Sequence, residues 1–383
     1  MSYIDRVYIH IPFCRTKCGY CAFHSIPSPE EKLIEAYLEK LEDDIKRANL
    51  TSPLKSLYLG GGTPSYLSEN NLGRLFRSLK TFNFASDAEI SIECNPESLT
   101  EEKIDLISDF ANRISLGVQS FNTMHRQTIG RIACIENISY LITSFQKRNV
   151  NNVSCDLIYG IPNQTIEEVK DDLKRLFELG IKHFSAYSLT IEENSKLDGK
   201  LTEPELEAID LTASEIWEIM PDLISDKGFK RYEISNYSLD GYECQHNCAI
   251  WFGAKYLGFG PAASSFDGID RWTNPELSDY LNGKAAEVDS ITHSKRVCEI
   301  FAMGLRTAFC WIIKTDIFGA EIGSSFGIIL NLPLQDWKPL LNTIISLKED
   351  GLLEVDTLHE NGIVVKCSAR GLAFWNDVAM SLI

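Results

Sequence analysis

The chain has 383 residues and a formal net charge of -17, long enough for a large α/β domain with one or two smaller additions. Such an excess of carboxylates disfavours enzymes acting on tRNA or rRNA, because nucleic-acid binding relies on Lys and Arg displacing counterions. The opening run MSYIDRVYIHIPFC has no basic region and no apolar segment with a cleavage site, and no run of about 18 apolar residues occurs, so a cytoplasmic protein without a spanning helix is expected.

Short β-branched runs alternate with amphipathic stretches through the first half. Strands are predicted at Val7 to Ile11, Ser56 to Leu59, Glu89 to Cys94, Arg113 to Gly117, Asn152 to Tyr159 and His183 to Leu189. Helices are predicted between them at Glu30 to Asn49, Ser68 to Phe82, Thr100 to Ser108, Ile135 to Lys147 and Thr165 to Leu179, several opening on a Ser or Thr cap with an acidic first turn. This repeated βα unit implies a parallel sheet. Six units without a clear seventh or eighth predict an open (β/α)6 partial barrel over residues 1–200, an α/β fold.

After Leu189 the pattern loosens into a helix from Glu203 to Lys227 and a Tyr-, Trp- and Gly-rich segment from Tyr232 to Phe266, and residues 201–290 are expected to form a capping subdomain. Residues 291–383 predict helices at Ser294 to Phe309 and near Trp337 to Lys348, a β-pair (Leu352 to Val355, Ile363 to Cys367) and a final helix, as in a small winged-helix-like domain. Its wing carries Glu354, Asp356 and Glu360, which suits a packing or partner surface better than DNA.

Ligands of such barrels sit at the C-terminal ends of the strands. Cys14, the Gly60-Gly61-Gly62 turn, Glu93, Gln119 and Asp156 all fall there. Cys14, Cys18 and Cys21 form C-x-x-x-C-x-x-C in the loop after the first strand, with Pro12 stopping the strand and Gly19 allowing a tight turn. Three thiolates on a [4Fe–4S] cube leave one iron open, and that iron can chelate S-adenosyl-L-methionine (SAM) and reduce it to methionine and a 5′-deoxyadenosyl radical. The alternatives are three buried thiols or a structural zinc site, but zinc takes four ligands, commonly in two pairs, and no partner pair lies nearby. Cys244 and Cys248 around His246 are a second, weaker metal candidate; the other six cysteines read as core residues.

The motifs YIHIPFCRTKCGYCAF, YLGGGTPS, ECNPES, LGVQSF, a trailing GR and DLIYGIP, in this order, resemble the radical SAM branch that contains the oxygen-independent coproporphyrinogen III oxidases (HemN) and their heme-chaperone relatives (HemW). The resemblance implies SAM contacts from Tyr8, Tyr20, Gly61, Gly62, Thr63, Glu93, Gln119, Arg131 and Asp156. Glycines at 60 to 62 let backbone approach the methionine amino group, with Thr63 and Pro64 fixing the turn, although triple glycine is also a plain βα turn. Glu93 can accept from a ribose hydroxyl or an ammonium, or be a solvated strand-end carboxylate. Arg131 suits a carboxylate partner, and Tyr8 reads equally as core packing.

In the oxidase branch a further cysteine follows two positions after the third and a long extension precedes the motif; here Phe23 stands at that position and seven residues precede Tyr8. ECQHNCAIWFGAKYLGFGPAASS instead resembles the chaperones' heme-binding motif, with Ile250 in place of a tyrosine and Ser264 in place of a histidine. The resemblance makes His246 the axial ligand, carried on a loop, with Trp251 and Phe252 covering the macrocycle. The expectation is a heme chaperone that hands heme to respiratory acceptor proteins at the inner membrane, with SAM cleavage accompanying transfer and dimers compatible with the resemblance. The rivals are a coproporphyrinogen decarboxylase of porphyrin biosynthesis and a non-catalytic protein whose cluster only stabilises the fold.

Overall fold

The computed structural model describes residues 4–131, 137–192, 195, 197–358 and 362–383. Its main sheet contains six parallel strands, each paired with the next: β1 Arg6–Ile11, β2 Leu54–Gly61, β3 Phe84–Cys94, β4 Arg113–Gln119, β5 Asn152–Tyr159 and β6 His183–Ser188. Helices Glu31–Ala48, Glu69–Leu79, Glu101–Ser108, Ile138–Lys147 and Ile166–Glu178 return the chain between them, so the expected βα units occur in the expected order. Their starts follow from local chemistry. Ser68 and Thr100 accept backbone N–H groups three residues on, and Thr165 forms a reciprocal capping box with Glu168. Ile135 and Glu136 of the predicted helix, with His359 and Glu360 of the predicted wing, lie outside the described residues.

The strands alternate in character with the period of a pleat, which sends one set of side chains to the helices and the other into the barrel. Ile9, Leu57, Leu59, Ile92, Ile114, Leu116, Val153, Cys155 and Phe184 join the helices in one buried apolar cluster. The opposite set is polar: Tyr8 and His10, Ser56 and Tyr58, Glu89 and Glu93, Arg113 and Ser115, Ser154 and Asp156, His183 and Ser185. Buried polar groups are costly unless paired, and most of these are paired with neighbours on the adjacent strand. The Tyr58 hydroxyl donates to Glu93 at 2.9 Å, Ser115 donates to both Asp156 oxygens at 3.0 and 2.9 Å, and Ser154 Oγ meets His183 Nδ1 at 2.7 Å. The lumen is therefore a polar chamber rather than a second hydrophobic core.

The segment expected as a capping subdomain, 201–290, does two things. It widens the sheet at both edges: β7 Lys230–Glu233 and β8 Asn236–Ser238 form an antiparallel hairpin beside β6, and β9 Leu257–Phe259 lies parallel to β1. Strands of three or four residues are too short to carry a periodic signal, which is why none was predicted. Between them, the Gln245–Trp251 helix covers the N-terminal ends of the barrel strands, where the Glu89 carboxylate accepts the backbone N–H groups of Gln245 at 2.8 Å and His246 at 3.1 Å.

From His293 onward a second buried cluster gathers Phe301, Trp311, Ile322, Trp337 and Val365, with Phe252 packed into it. The β-pair predicted at Leu352 to Val355 and Ile363 to Cys367 forms as Leu353–Leu358 with Gly362–Cys367, part of a five-stranded antiparallel sheet that also includes Trp311–Thr315, Gly319–Ser324 and Ile329–Pro333. Gly319, Gly323 and Pro333 weaken the strand signal of the added members. Glu354 on the predicted wing pairs with Lys366 at 2.8 Å. Among the described residues no helix is long and apolar enough to cross a membrane.

Candidate functional site

Pro12 follows β1, and the chain then enters the loop of Cys14, Cys18 and Cys21. Backbone hydrogen bonds fix this loop: Ile26 donates to Pro12 at 2.7 Å, Ser28 to Cys14 at 2.9 Å, Gly19 to Ile129 at 2.9 Å and Leu197 to Gly19 at 3.0 Å. All three cysteines are free and line one cavity of about 440 Å³ at the C-terminal ends of the strands. Small-molecule sites occupy about 300–1,000 Å³. Tyr20, Gly61, Gly62, Thr63, Glu93, Gln119, Arg131 and Asp156 line the same cavity, so the structure brings together most of the residues singled out in the sequence.

Each is placed for a local reason. Gly61 has φ +102°, and an added Cβ would strike the His10 ring at 2.5 Å. At Gly62 the crowding comes from the carbonyls of Phe13 and Ile11, at 2.7 and 2.8 Å; glycine there is already required by packing of the cysteine loop, whatever binds above it. Glu93 accepts from Tyr58 and, at 3.1 Å, from the Gly61 N–H. Burial, reinforced by the Asp156 charge, pushes its carboxyl up to about 7, and burial raises Asp156 as well. Two carboxyl groups in one cavity are then poised to take up protons or to meet an ammonium. Gln119 ends β4 at an irregularity in the β4–β5 register and has φ +69°, a left-handed conformation unusual for a side chain of its size. Arg131 is buried and donates to the Gly117 carbonyl at 2.9 Å and to the Asn95 amide oxygen.

The donor set fits an iron–sulfur cluster. Burial raises the Cys14 and Cys21 thiols above their ordinary range, which a bound cation would reverse by holding them as thiolates. Among the described residues no three His, Cys, Asp or Glu side chains converge as a single metal ion requires; the three thiols surround a volume instead. Two donors point at sulfur, Thr63 Oγ1 at Cys14 Sγ and Arg131 Nη1 at Cys18 Sγ, both at 3.5 Å. Hydrogen bonds of this kind are among the means by which proteins tune such clusters.

Two predicted residues stand apart. Tyr8 points into the lumen, its hydroxyl 3.1 Å from His10 Nδ1 and its ring stacked on Tyr58 at 6.2 Å, and it is not part of the cavity lining. His246 lies on a helix rather than on a loop and at the opposite end of the barrel. It is 2 % exposed, with Nδ1 2.8 Å from Ser56 Oγ and its ring 5.3 Å from that of Tyr58. Burial, with the Arg6 and Arg113 charges, lowers it to about 3, so the imidazole is neutral. The covering residues are also engaged: Phe252 is buried against Trp311 and Phe326, and Trp251 stacks under the Arg306 guanidinium at 3.9 Å. In this conformation neither His246 nor Phe252 is open to a macrocycle, because the helix that carries His246 is docked on the strand ends. Cys244 and Cys248 are buried beside it; the Cys244 thiol lies 3.4 Å from a Glu89 oxygen.

Sequence reasoning did not single out Asn95, Ser115 or Tyr58, which connect the site residues by hydrogen bonds. The signal was present for the last two, in the polar–apolar alternation of S-L-Y-L and R-I-S-L-G.

The profile of the radical SAM superfamily matches residues 8–176. The heme chaperone HemW of Bacillus subtilis (strain 168) is 33% identical, the similarity covering 98% of this chain and 98% of that protein. HemW of Mycobacterium tuberculosis (strain ATCC 25618 / H37Rv) is 33% identical over 96% of this chain and 92% of the relative, and HemW of Lactococcus lactis subsp. lactis (strain IL1403) is 34% identical over 79% and 81%. Among solved structures, coproporphyrinogen III oxidase (HemN) from Escherichia coli superposes with a TM-score of 0.79 at 23% identity, covering 100% of this chain and 90% of that one, which is a likeness of fold. On this end-to-end similarity, joined to the three-thiol cavity at the strand ends, the chain belongs to the HemW family of the radical SAM superfamily.

Proposed function

We propose that the protein is a heme chaperone that holds a [4Fe–4S] cluster on Cys14, Cys18 and Cys21, binds SAM in the cavity above the strand ends, and passes heme to acceptor proteins. The observation that carries this reading is similarity to HemW proteins over nearly the whole length. Phe23, 68% exposed beside the cavity where the oxidase branch has a further cysteine, favours it over porphyrinogen decarboxylation. The cluster would supply an electron for reductive cleavage of SAM. The chain's own groups do the rest. Arg131 keeps a positive charge beside the sulfurs, Glu93 and Asp156 present carboxyl groups to an ammonium or ribose hydroxyl, and Gln119 reaches in from the end of β4.

Heme is the cargo, and His246 is its axial ligand in this reading. Since the imidazole is buried, heme ligation requires the Gln245–Trp251 helix to leave the strand ends. Acceptors are respiratory proteins at the inner membrane, reached from the cytoplasm.

Heme titration of wild type beside His246→Ala tests the ligand: weaker binding and an altered Soret band are expected, and identical spectra and affinity would place it elsewhere. Anaerobic turnover of coproporphyrinogen III by the reconstituted protein would overturn the chaperone reading.

A further inference from the structure

Asn95 follows the last residue of β3 in the run Glu-Cys-Asn-Pro. Its backbone is pinned on both sides, the N–H donating to Ser65 Oγ at 3.0 Å and the carbonyl accepting from Ser98 Oγ at 2.8 Å. Its side chain sits between two of the groups that address the cysteines. Nδ2 donates to Thr63 Oγ1 at 3.0 Å, and that hydroxyl donates in turn to Cys14 Sγ at 3.5 Å. Oδ1 accepts from Arg131 Nη2, and the other terminal nitrogen of the same guanidinium donates to Cys18 Sγ at 3.5 Å. A continuous chain thus runs from one cluster cysteine to the next: Cys14, Thr63, Asn95, Arg131, Cys18.

The chemistry of the chain dictates an amide at its centre. A threonine hydroxyl has one proton; to spend it on sulfur it must itself be satisfied by a donor. Arg131 has only donors, so it needs an acceptor. A primary amide offers one of each within a single planar group. Alanine and leucine offer neither, and aspartate offers two acceptors, which would draw the Thr63 proton away from Cys14. The Gly117 carbonyl accepts from Arg131 Nη2 on the other side at 2.9 Å, and a Cβ at Gly117 would come within 2.8 Å of that nitrogen, so glycine leaves the guanidinium room at this seat.

We propose that Asn95 is the positioning residue that aims the Thr63 and Arg131 hydrogen bonds at the sulfurs of Cys14 and Cys18, and thereby sets the reduction potential of the cluster. The reduced cluster carries one more negative charge than the oxidised one, so donors to its sulfurs favour reduction. The proposal rests on the reading of the three cysteines as cluster ligands. Wild-type protein that takes up no iron and sulfide on reconstitution would sink that reading, and with it the basis of the measurement.

The test is an EPR-monitored dithionite titration of reconstituted full-length protein without SAM, on wild type, Asn95→Ala, Thr63→Val and the double variant, each with its iron and sulfide content measured. Asn95→Ala is expected to move the midpoint to more negative potential. In the Thr63→Val background the same change should move it less, because one of the two bonds it orients is already gone. A full iron complement with an unmoved midpoint overturns the proposal, and so do fully additive shifts. Should Asn95→Ala fail to keep its iron, Asn95→Gln replaces it. That variant keeps both amide functions but displaces them by a methylene: a lowered midpoint supports the role, and the wild-type midpoint refutes it.

Discussion

Replacing Gln119 by glycine and, separately, by alanine distinguishes the backbone strain of the site from the use of its side chain. With φ +69°, Gln119 holds a conformation that glycine adopts freely. A non-glycine residue in that region costs about 1–3 kcal/mol. At an ordinary strand position glycine is worse than alanine by roughly 0.5–1 kcal/mol through unfolded-state entropy. At position 119 the order should invert: the strain relieved, less the entropy lost, leaves glycine ahead of alanine by up to roughly 2.5 kcal/mol. Urea unfolding of the two variants under anaerobic conditions reads this as a higher midpoint for Gln119→Gly at equal slope. Both variants lose the side chain that lines the cavity, so both should bind SAM roughly tenfold more weakly by calorimetry, as expected for one buried hydrogen bond of about 1.4 kcal/mol. Alanine proving the more stable variant would show that the left-handed backbone is not imposed by the fold. Wild-type SAM affinity in either would remove Gln119 from the site.

Two further outcomes follow from the lumen. Glu93 is raised from 4.5 to about 7 by burial, so the folded protein without SAM binds a proton that the unfolded chain releases; stability should fall by up to about 3 kcal/mol as pH rises from about 4.5 to about 7, then level off. Glu93→Gln should flatten that slope, and a wild-type urea midpoint that does not change across the window would contradict it. At the other end, Glu89→Ala removes the acceptor of the Gln245 and His246 N–H groups, a loss of about 2–3 kcal/mol of local stability. Residues 244–251 should then exchange amide hydrogens faster and heme should bind more tightly, since the fraction of exposed His246 rises; unchanged exchange would show that Glu89 does not hold the helix down.

The βα core was legible because each of its strands is long enough for a pattern and three of its helices open on a side-chain cap, at Ser68, Thr100 and Thr165. Some cavity residues were legible for a related reason: every βα loop follows its own strand, so Cys14, Gly61 and Glu93 are found by reading to a strand end, whereas Gln119 and Asp156, the latter inside Asn152–Tyr159, were pointed to by the motifs of the resemblance. Asn95 stands inside the ECNPES motif, but the motif does not say what its side chain meets; only the structure shows its amide between Thr63 and Arg131. Ser115 and Tyr58 lie on the polar half of alternating strands, where the apolar half alone carries the strand signal.

The end of the barrel that holds His246 obeys no such local rule. It is built from Ser56, early in β2, and Glu89, level with it on β3, closed by a helix that follows them by more than a hundred residues, and nothing in the strand pattern says which distant segment will close it. A sequence motif around His246 therefore conveys which atoms are present but not that they are facing inward. Under the proposed function, the distinction decides how heme would be held. Strands β2 and β3 place Ser56 and Glu89 at one end and Gly61 and Glu93 at the other, and Tyr58 spans the interval, its ring 5.3 Å from the His246 ring and its hydroxyl 2.9 Å from Glu93. An imidazole packed on that stack can meet iron only by leaving it, so the proposed heme capture at His246 and an intact lumen floor would be mutually exclusive states of the same segment.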